Sequence, residues 1–235
     1  MTVTPQGLYA NPARVMSCFR RAQTLFASAR LKIRPLELED AEALRQMHAD
    51  PRVTALLIDG CGVPLDSLVN ATLFIRAAQQ LYRRYPGYGI WAVESSAAAF
   101  DSAGDQIAVE RLGGFCGFVA LMPVDELPGD VEIGIRLNPG LWGAGVSFEA
   151  TRLVLGYAFD TLTLPEVMAF CDPRNGSARL NNEAQGATWI CDTVHQGALA
   201  SRYVLTREVF ETTRHESRQK RMRAVLRAAG RGSTK

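Results

Sequence analysis

One segment limits the possible folds more than any other. Val131-Glu132-Ile133-Gly134-Ile135-Arg136-Leu137 alternates strictly, with Val, Ile, Ile and Leu on one face and Glu, Gly and Arg on the other. It reads as a strand with one buried face, and it puts Glu132 and Arg136 on the same side. Gly140-Leu141-Trp142-Gly143-Ala144-Gly145 follows. Then Val146, Ala150, Leu153, Val154, Tyr157 and Ala158 recur at the spacing of one helix face. A strand, a glycine turn and a helix in direct succession are a candidate anion site. Glycines let the backbone approach a ligand, and the helix N-terminus offers unpaired N–H groups with partial positive charge. A tight turn with no ligand fits the glycines as well. The spacing G-x-x-G-x-G, with no G-K-[ST] after it, is neither a P-loop nor a dinucleotide fingerprint.

The other segments extend this unit. Leu31-Lys32-Ile33-Arg34-Pro35-Leu36 predicts a first edge strand. Asp40 opens a helix with Ala41, Leu44 and Met47 or His48 inward, ended by Asp50-Pro51. A second helix is expected over 64–84, where Leu68, Ala71, Ile75, Ala78 and Tyr82 recur at helical spacing. Strands are expected over 88–94, 107–112 and 114–122, with a long polar loop over 95–105. After the glycine loop and its helix come a strand over 166–171, a helix over 175–185, and strands over 188–193 and 202–207. The last thirty residues read as one basic helix with a Gly/Ser tail. The order β-α-α-β-β-β-α-β-α-β-β predicts a single α/β (α+β) domain, a mixed sheet flanked by helices.

Composition excludes several classes. With 47% hydrophobic and 21% charged residues, the 235-residue chain is neither disordered nor collagen-like. The apolar stretch 113–124 is too short to span a bilayer as a helix, so no membrane contact is expected. Cys18, Cys61, Cys116, Cys171 and Cys191 form no C-x-x-C, which suggests reduced thiols and a cytoplasmic setting. His48, His195 and His215 lack metal-ligand spacing, so no metal is expected. The net charge of +2 is uneven: residues 1–30 carry +4, 206–235 carry +6, and 31–205 carry −8. An acidic body favours a cationic substrate, and basic ends favour RNA or a ribosome, although charge runs of this kind are usually solvated tails and nothing more. Residues 1–30 match a transit peptide in composition alone; a loosely packed extension is the other reading.

The glycine loop resembles the acyl-CoA pyrophosphate loop of the GNAT superfamily of N-acetyltransferases, [Q/R]-x-x-G-x-[G/A]. The string from Glu132 to Gly145, with Glu149-Ala150 after it, is similar to the RimJ/RimL branch, which acetylates protein N-termini and other amines. Arg30 to Leu36 with Asp40-Ala41, then Asp50-Pro51-Arg52-Val53, and later Asn175, Ser177 and Gly186 resemble it too. The resemblance covers about 30–207. It implies a GNAT domain there, with a mostly antiparallel sheet, an N-terminal extension over 1–29 and a basic C-terminal helix and tail over 208–235.

It also implies roles. Acetyl-CoA is the co-substrate, with its pyrophosphate on Trp142, Gly143, Ala144, Gly145, Val146 and Ser147, its pantetheine arm near Asn175, and its thioester carbonyl near free backbone N–H groups at Leu137. Catalytic positions fall on Glu132, Ser177 and Asn182. Read from the residues, Glu132 is a candidate base, directly or through a water, or a sheet carboxylate paired with Arg136. Ser177 and Asn182 suit a helix cap and a polar face, and Glu149 suits the helix dipole. Several positions depart from the pattern. Gly140 stands at the Gln/Arg position, Ser177 is one residue early, Ala178 fills the Ser position, and Ala187 replaces a Phe. Asn182 stands where many members carry a Tyr acid. An α-amine, with a pKa of about 7.7–8.0, is partly neutral at neutral pH, while a lysine at about 10.4 is not. A site with one carboxylate therefore suits a protein or peptide N-terminus, or a small-molecule amine of similar basicity. A homodimer is compatible with this reading, as is a GNAT-fold module that binds CoA, RNA or a ribosome with little or no transfer activity.

Overall fold

The alternating segment is the central strand of the sheet, and its neighbours explain why. The computed structural model describes residues 24–58, 64–95, 114–124, 127 and 129–232. Eight strands form one sheet among these residues: β1 (Phe26–Ala27), β2 (Leu31–Pro35), β3 (Gly89–Ser95), β4 (Phe115–Pro123), β5 (Val131–Leu137), β6 (Glu166–Cys171), β7 (Thr188–His195) and β8 (Ala198–Thr206). Their spatial order is β1-β2-β3-β4-β5-β6-β8-β7. Six neighbour pairs are antiparallel, and β5 with β6 is parallel. A parallel pair needs a crossover, which the helix after the glycine loop provides. The β4–β5 ladder runs from Gly117↔Leu137 to Pro123↔Val131, whereas β5 and β6 pair only at Glu132↔Met168. Beyond Glu132 these two strands therefore part, and the sheet opens toward Leu137.

The helices are α1 (Ala41–Ala49), α2 (Pro51–Thr54), α3 (Leu68–Arg84), α4 (Val146–Asp160), α5 (Gly176–Gln185), α6 (Arg207–Thr213) and α7 (Arg218–Gly232). The stripe on α3 begins at Ala71, and Leu68 is exposed. Ser67 is the cap, accepting from the Asn70 N–H, so Leu68 lies in the first turn before the helix meets the core. The crossover helix α4 buries Val146, Phe148, Ala150, Thr151, Val154, Leu155, Ala158 and Phe159, more than one face. It packs against the sheet on one side and under α5 and α6 on the other.

Several expectations are corrected. β2 is not the edge, because β1 pairs with it; Phe26 and Ala27 thus belong to the sheet although they fall in the expected 1–29 extension. Asn175, not Ser177, caps α5: its Oδ1 accepts from the Ala178 N–H at 3.0 Å. The last two strands are longer and join through Gln196 and Gly197, both left-handed (φ 49° and 82°), the geometry of a tight two-residue hairpin. The basic end holds two helices. Phe210 on α6 is buried against Phe159, with ring centroids 4.9 Å apart, so packing continues past residue 207. The strand expected over 107–112 and residues 1–23 lie outside the described residues.

Candidate active site

Where β5 and β6 part, a cleft of about 510 Å³ opens. Leu56, Leu57, Ile58, Leu65, Leu73 and Phe74 make one apolar wall, and Glu132, Gly134, Arg136, Phe170, Cys171, Asn175 and His195 are on the other. An apolar pocket with a few polar groups aimed into it is the usual form of a small-molecule site. The period-2 alternation explains β5's contribution: Glu132, Gly134 and Arg136 share the face away from Val131 and Leu137.

Glu132 has a partner that the sequence did not suggest. His195 Nε2 is 3.0 Å from Glu132 Oε2, with the side chains 5% and 17% exposed. The imidazole stacks on Phe170 at 3.9 Å between centroids and 9° between planes. His195 ends β7, directly before the Gln196-Gly197 turn, so the turn aims it back into the cleft. Nothing local in the sequence signals this, because the two residues meet only through the sheet.

Arg136 meets a different histidine. His48 donates from Nδ1 to the Leu44 carbonyl at 2.8 Å, and its Nε2 accepts from Arg136 Nη1 at 2.8 Å. Burial holds His48 down at about 4, and the Arg136 charge adds to this against the opposing Leu44 hydrogen bond. Neutral His48 thus fixes a guanidinium that also lies 5.3 Å from the Phe118 ring centroid. Cys171 is also buried, which pushes its thiol up to about 11.

The glycine loop lies at the N-terminus of α4. Gly143 and Gly145 are left-handed, at φ 86° and 82°, and Gly145 is the N-cap, with no side chain capping the first turn. A Cβ on Gly143 would point into open space. Trp142 Nε1 donates to the Leu137 carbonyl at 3.1 Å, bracing the loop to the end of β5, while its ring is half exposed. Ser147 Oγ donates to Asn181 Oδ1 at 2.8 Å, tying α4 to α5. Val146 is buried. Arg30 donates to Glu149 through Nε and Nη2, at 2.9 and 2.5 Å, and to the Ala144 carbonyl at 3.3 Å. Uncapped N–H groups, left-handed glycines and open space at Gly143 fit a diphosphate.

Asn175 reaches the cleft as well as capping α5, but Ser177 and Asn182 are not in its lining. Ser177 is exposed in the first turn of α5, and the Asn182 carbonyl accepts from the N–H groups of Gly186 and Ala187.

The chain and its fold are similar to known proteins. Residues 30–207 match the acetyltransferase (GNAT) domain family. The N-acetyltransferase p20 of Bacillus licheniformis is 29% identical over 153 residues, 65% of this chain and 75% of that protein. The FsC-acetyl coenzyme A-N(2)-transacetylase of Aspergillus fumigatus is 28% identical over 156 residues, 63% of this chain and 58% of that protein's length. The fold matches Mycobacterium smegmatis RimJ, solved with CoA-disulfide, at a TM-score of 0.60 and 15% identity over 84% of this chain and 90% of that one. No helix among the described residues is long and apolar enough to cross a membrane.

Proposed function

The chain belongs to the GNAT acetyltransferase family and is an acetyl-CoA-dependent transferase, and from that premise we propose that it acetylates an α-amine. The acceptor is a protein or peptide N-terminus, or a small-molecule amine of similar basicity. The observation that carries this reading is Glu132 on the cleft wall, held by His195 at 3.0 Å. One fixed carboxylate suits an amine that loses its proton near neutral pH. The apolar wall favours acceptors with an apolar group beside the amine.

When bound, acetyl-CoA supplies the activated acetyl thioester. In this reading residues 142–147 hold its diphosphate by backbone N–H groups, and Asn175 faces the pantetheine arm. The backbone at Leu137, where β5 has left β6, polarises the carbonyl. Glu132 takes the proton from the attacking nitrogen, directly or through a water, while His195 and Phe170 keep its carboxylate aimed into the cleft. As nitrogen bonds to the acetyl carbon, the carbon–sulfur bond breaks and CoA leaves as its thiolate, which takes a proton from solvent. Ser177 and Asn182 then serve α5 rather than proton transfer.

The same reading makes 30–207 the acetyltransferase domain, with an extension over 1–29 that lends Phe26 and Ala27 to its sheet and one over 208–235 anchored by Phe210. Exposed Trp189, Ile190, Val194 and Leu199 on the edge hairpin support a homodimer, and exposed Arg223 and Arg227 on α7 support contact with RNA or a ribosome. Thiol release from acetyl-CoA, measured over peptides with varied first residues, small amines and lysine derivatives, tests the proposal. Release with peptide α-amines or α-amine-like small molecules supports it. Release with lysine side chains alone overturns the substrate, and CoA binding with no release supports the non-catalytic module.

A further inference from the structure

The basic C-terminal helix is attached to the domain beside the cofactor loop. Arg221 Nε donates to the Ala184 carbonyl near the end of α5 at 3.0 Å, and Arg221 Nη1 pairs with Glu216 at 3.1 Å. Lys220 pairs with the same carboxylate at 2.6 Å. These contacts bring Arg218, the first residue of α7, over the glycine loop. A Cβ built on Gly145 would lie 3.2 Å from Arg218 Cδ, 3.6 Å from Arg218 Nε and 3.6 Å from Arg30 Nη2. Two arginines from opposite ends of the domain thus converge on the N-cap of α4.

Their circumstances differ. Arg30 is committed to Glu149 and the Ala144 carbonyl. Arg218 has no hydrogen bond or ion pair among the described residues. A guanidinium in that position faces the positive end of a fifteen-residue helix, which repels it, beside a second guanidinium whose charge Glu149 offsets. An anion between them turns all three into attractions. The family's co-substrate carries such an anion, and the loop fits it.

We propose that Arg218 is a ligand of the CoA diphosphate, delivered by α7 onto the loop and completing from outside the cradle that residues 143–147 form from below. The proposal rests on the reading that this loop holds acetyl-CoA. Arg30 has a supporting part, neutralising Glu149, which would otherwise repel phosphate from the first turn of α4. The basic C-terminal end then serves the cofactor, in addition to any RNA contact of its outer face.

Calorimetric titration of the full chain with CoA and with 3′-dephospho-CoA tests this, using wild type, Arg218→Ala, Arg218→Lys and Gly143→Val. Arg218→Ala is expected to weaken CoA binding by roughly tenfold or more, the usual scale of a charge-assisted hydrogen bond. The loss should be the same for 3′-dephospho-CoA, and Arg218→Lys should recover part of it. Circular dichroism and the ligand-free melting temperature should match wild type. An unchanged affinity in Arg218→Ala overturns the proposal, and tighter binding would mean that α7 shields the loop instead. A loss that disappears with 3′-dephospho-CoA moves Arg218 to the 3′-phosphate and overturns the diphosphate assignment. If wild type binds CoA and Gly143→Val does not, the loop reading stands and Arg218 is judged alone. If wild type binds no CoA, the loop reading fails and this proposal fails with it.

Discussion

Arg30 and Glu149 meet across 119 positions of sequence, with Arg30 Nε at 2.9 Å and Nη2 at 2.5 Å from the same carboxylate oxygen. Ser28 Oγ donates to the other oxygen at 2.5 Å. The β1–β2 turn is thereby fastened to the first turn of α4. An acid there stabilises a helix but opposes a bound phosphate, so the ion pair reconciles two demands on one position. Arg30→Ala should weaken CoA binding roughly threefold to tenfold by exposing the Glu149 charge. Adding Glu149→Gln should restore most of the affinity. If the double variant stays as weak as Arg30→Ala, the effect is loss of loop geometry and not charge.

Gly143 is the cleaner of the two left-handed loop glycines to test. Its missing Cβ faces open space, whereas one on Gly145 would meet Arg218. Gly143→Val puts a β-branched side chain where the diphosphate is proposed and strains the backbone at φ 86° by about 1–3 kcal/mol. CoA binding should be lost while circular dichroism keeps the native signature. Unchanged affinity would remove the loop from the cofactor site.

Cys171 lines the cleft and is the one cysteine in its lining among the described residues. Burial raises its thiol to about 11; Asp172, Asp192 and Glu183 add to this, and Arg179 opposes it. A thiol at that value is almost entirely protonated at neutral pH and a poor nucleophile. Transfer should therefore pass directly from CoA to the amine. Cys171→Ala should keep kcat within roughly twofold, as expected of a residue that is not a nucleophile. Intact-mass spectra of the enzyme incubated with acetyl-CoA alone should show no acetyl adduct. An adduct at Cys171 would point to a two-step route.

His48 gives the fold an acid limit. Its value of about 4 in the fold lies below the 6.5 of a free imidazole, mainly through burial. Between those pH values the unfolded chain binds the extra proton, so stability rises with pH there and falls on acidification. At about 1.4 kcal/mol for each pH unit, the loss from 6.5 to 4 is at most about 3 kcal/mol. Urea unfolding should show this slope. In His48→Gln the slope should shrink, with an amide still able to accept from Arg136. An equal slope in the variant would assign the acid sensitivity to other groups.

Local patterns in the sequence revealed the fold better than the site. The alternation over 131–137 and the stripe at Val146, Ala150, Val154 and Ala158 reported burial directly, since period 2 and period 3.6 each record one buried face. The glycine loop was visible for the same reason: its chemistry lies in consecutive backbone groups. Glu132 was visible through its strand face, but His195 was not. Its contact exists because a two-residue turn returns β8 beside β6 and leaves the end of β7 over the cleft. Arg218 was visible only as one charge in a basic run. Its place over Gly145 depends on Phe210 and Arg221 fixing the path of the chain after β8, and no periodicity encodes that. Ser177 read as a cap because it is a serine near a helix start, but Asn175 stands at the turn itself and is the cap.

The most direct test of the account is the pH profile of Glu132→Gln. The substitution keeps size and hydrogen bonding to His195 but removes the base. Turnover at neutral pH should fall by roughly 10²–10⁴-fold, the usual contribution of a positioned base. CoA affinity should not change, because the loop is separate from β5's polar face. As pH rises past the amine's own value of about 8, the acceptor loses its proton unaided and the deficit should narrow. A deficit that narrows in this way supports Glu132 as the proton acceptor. A deficit equal at every pH, or none at all, contradicts it.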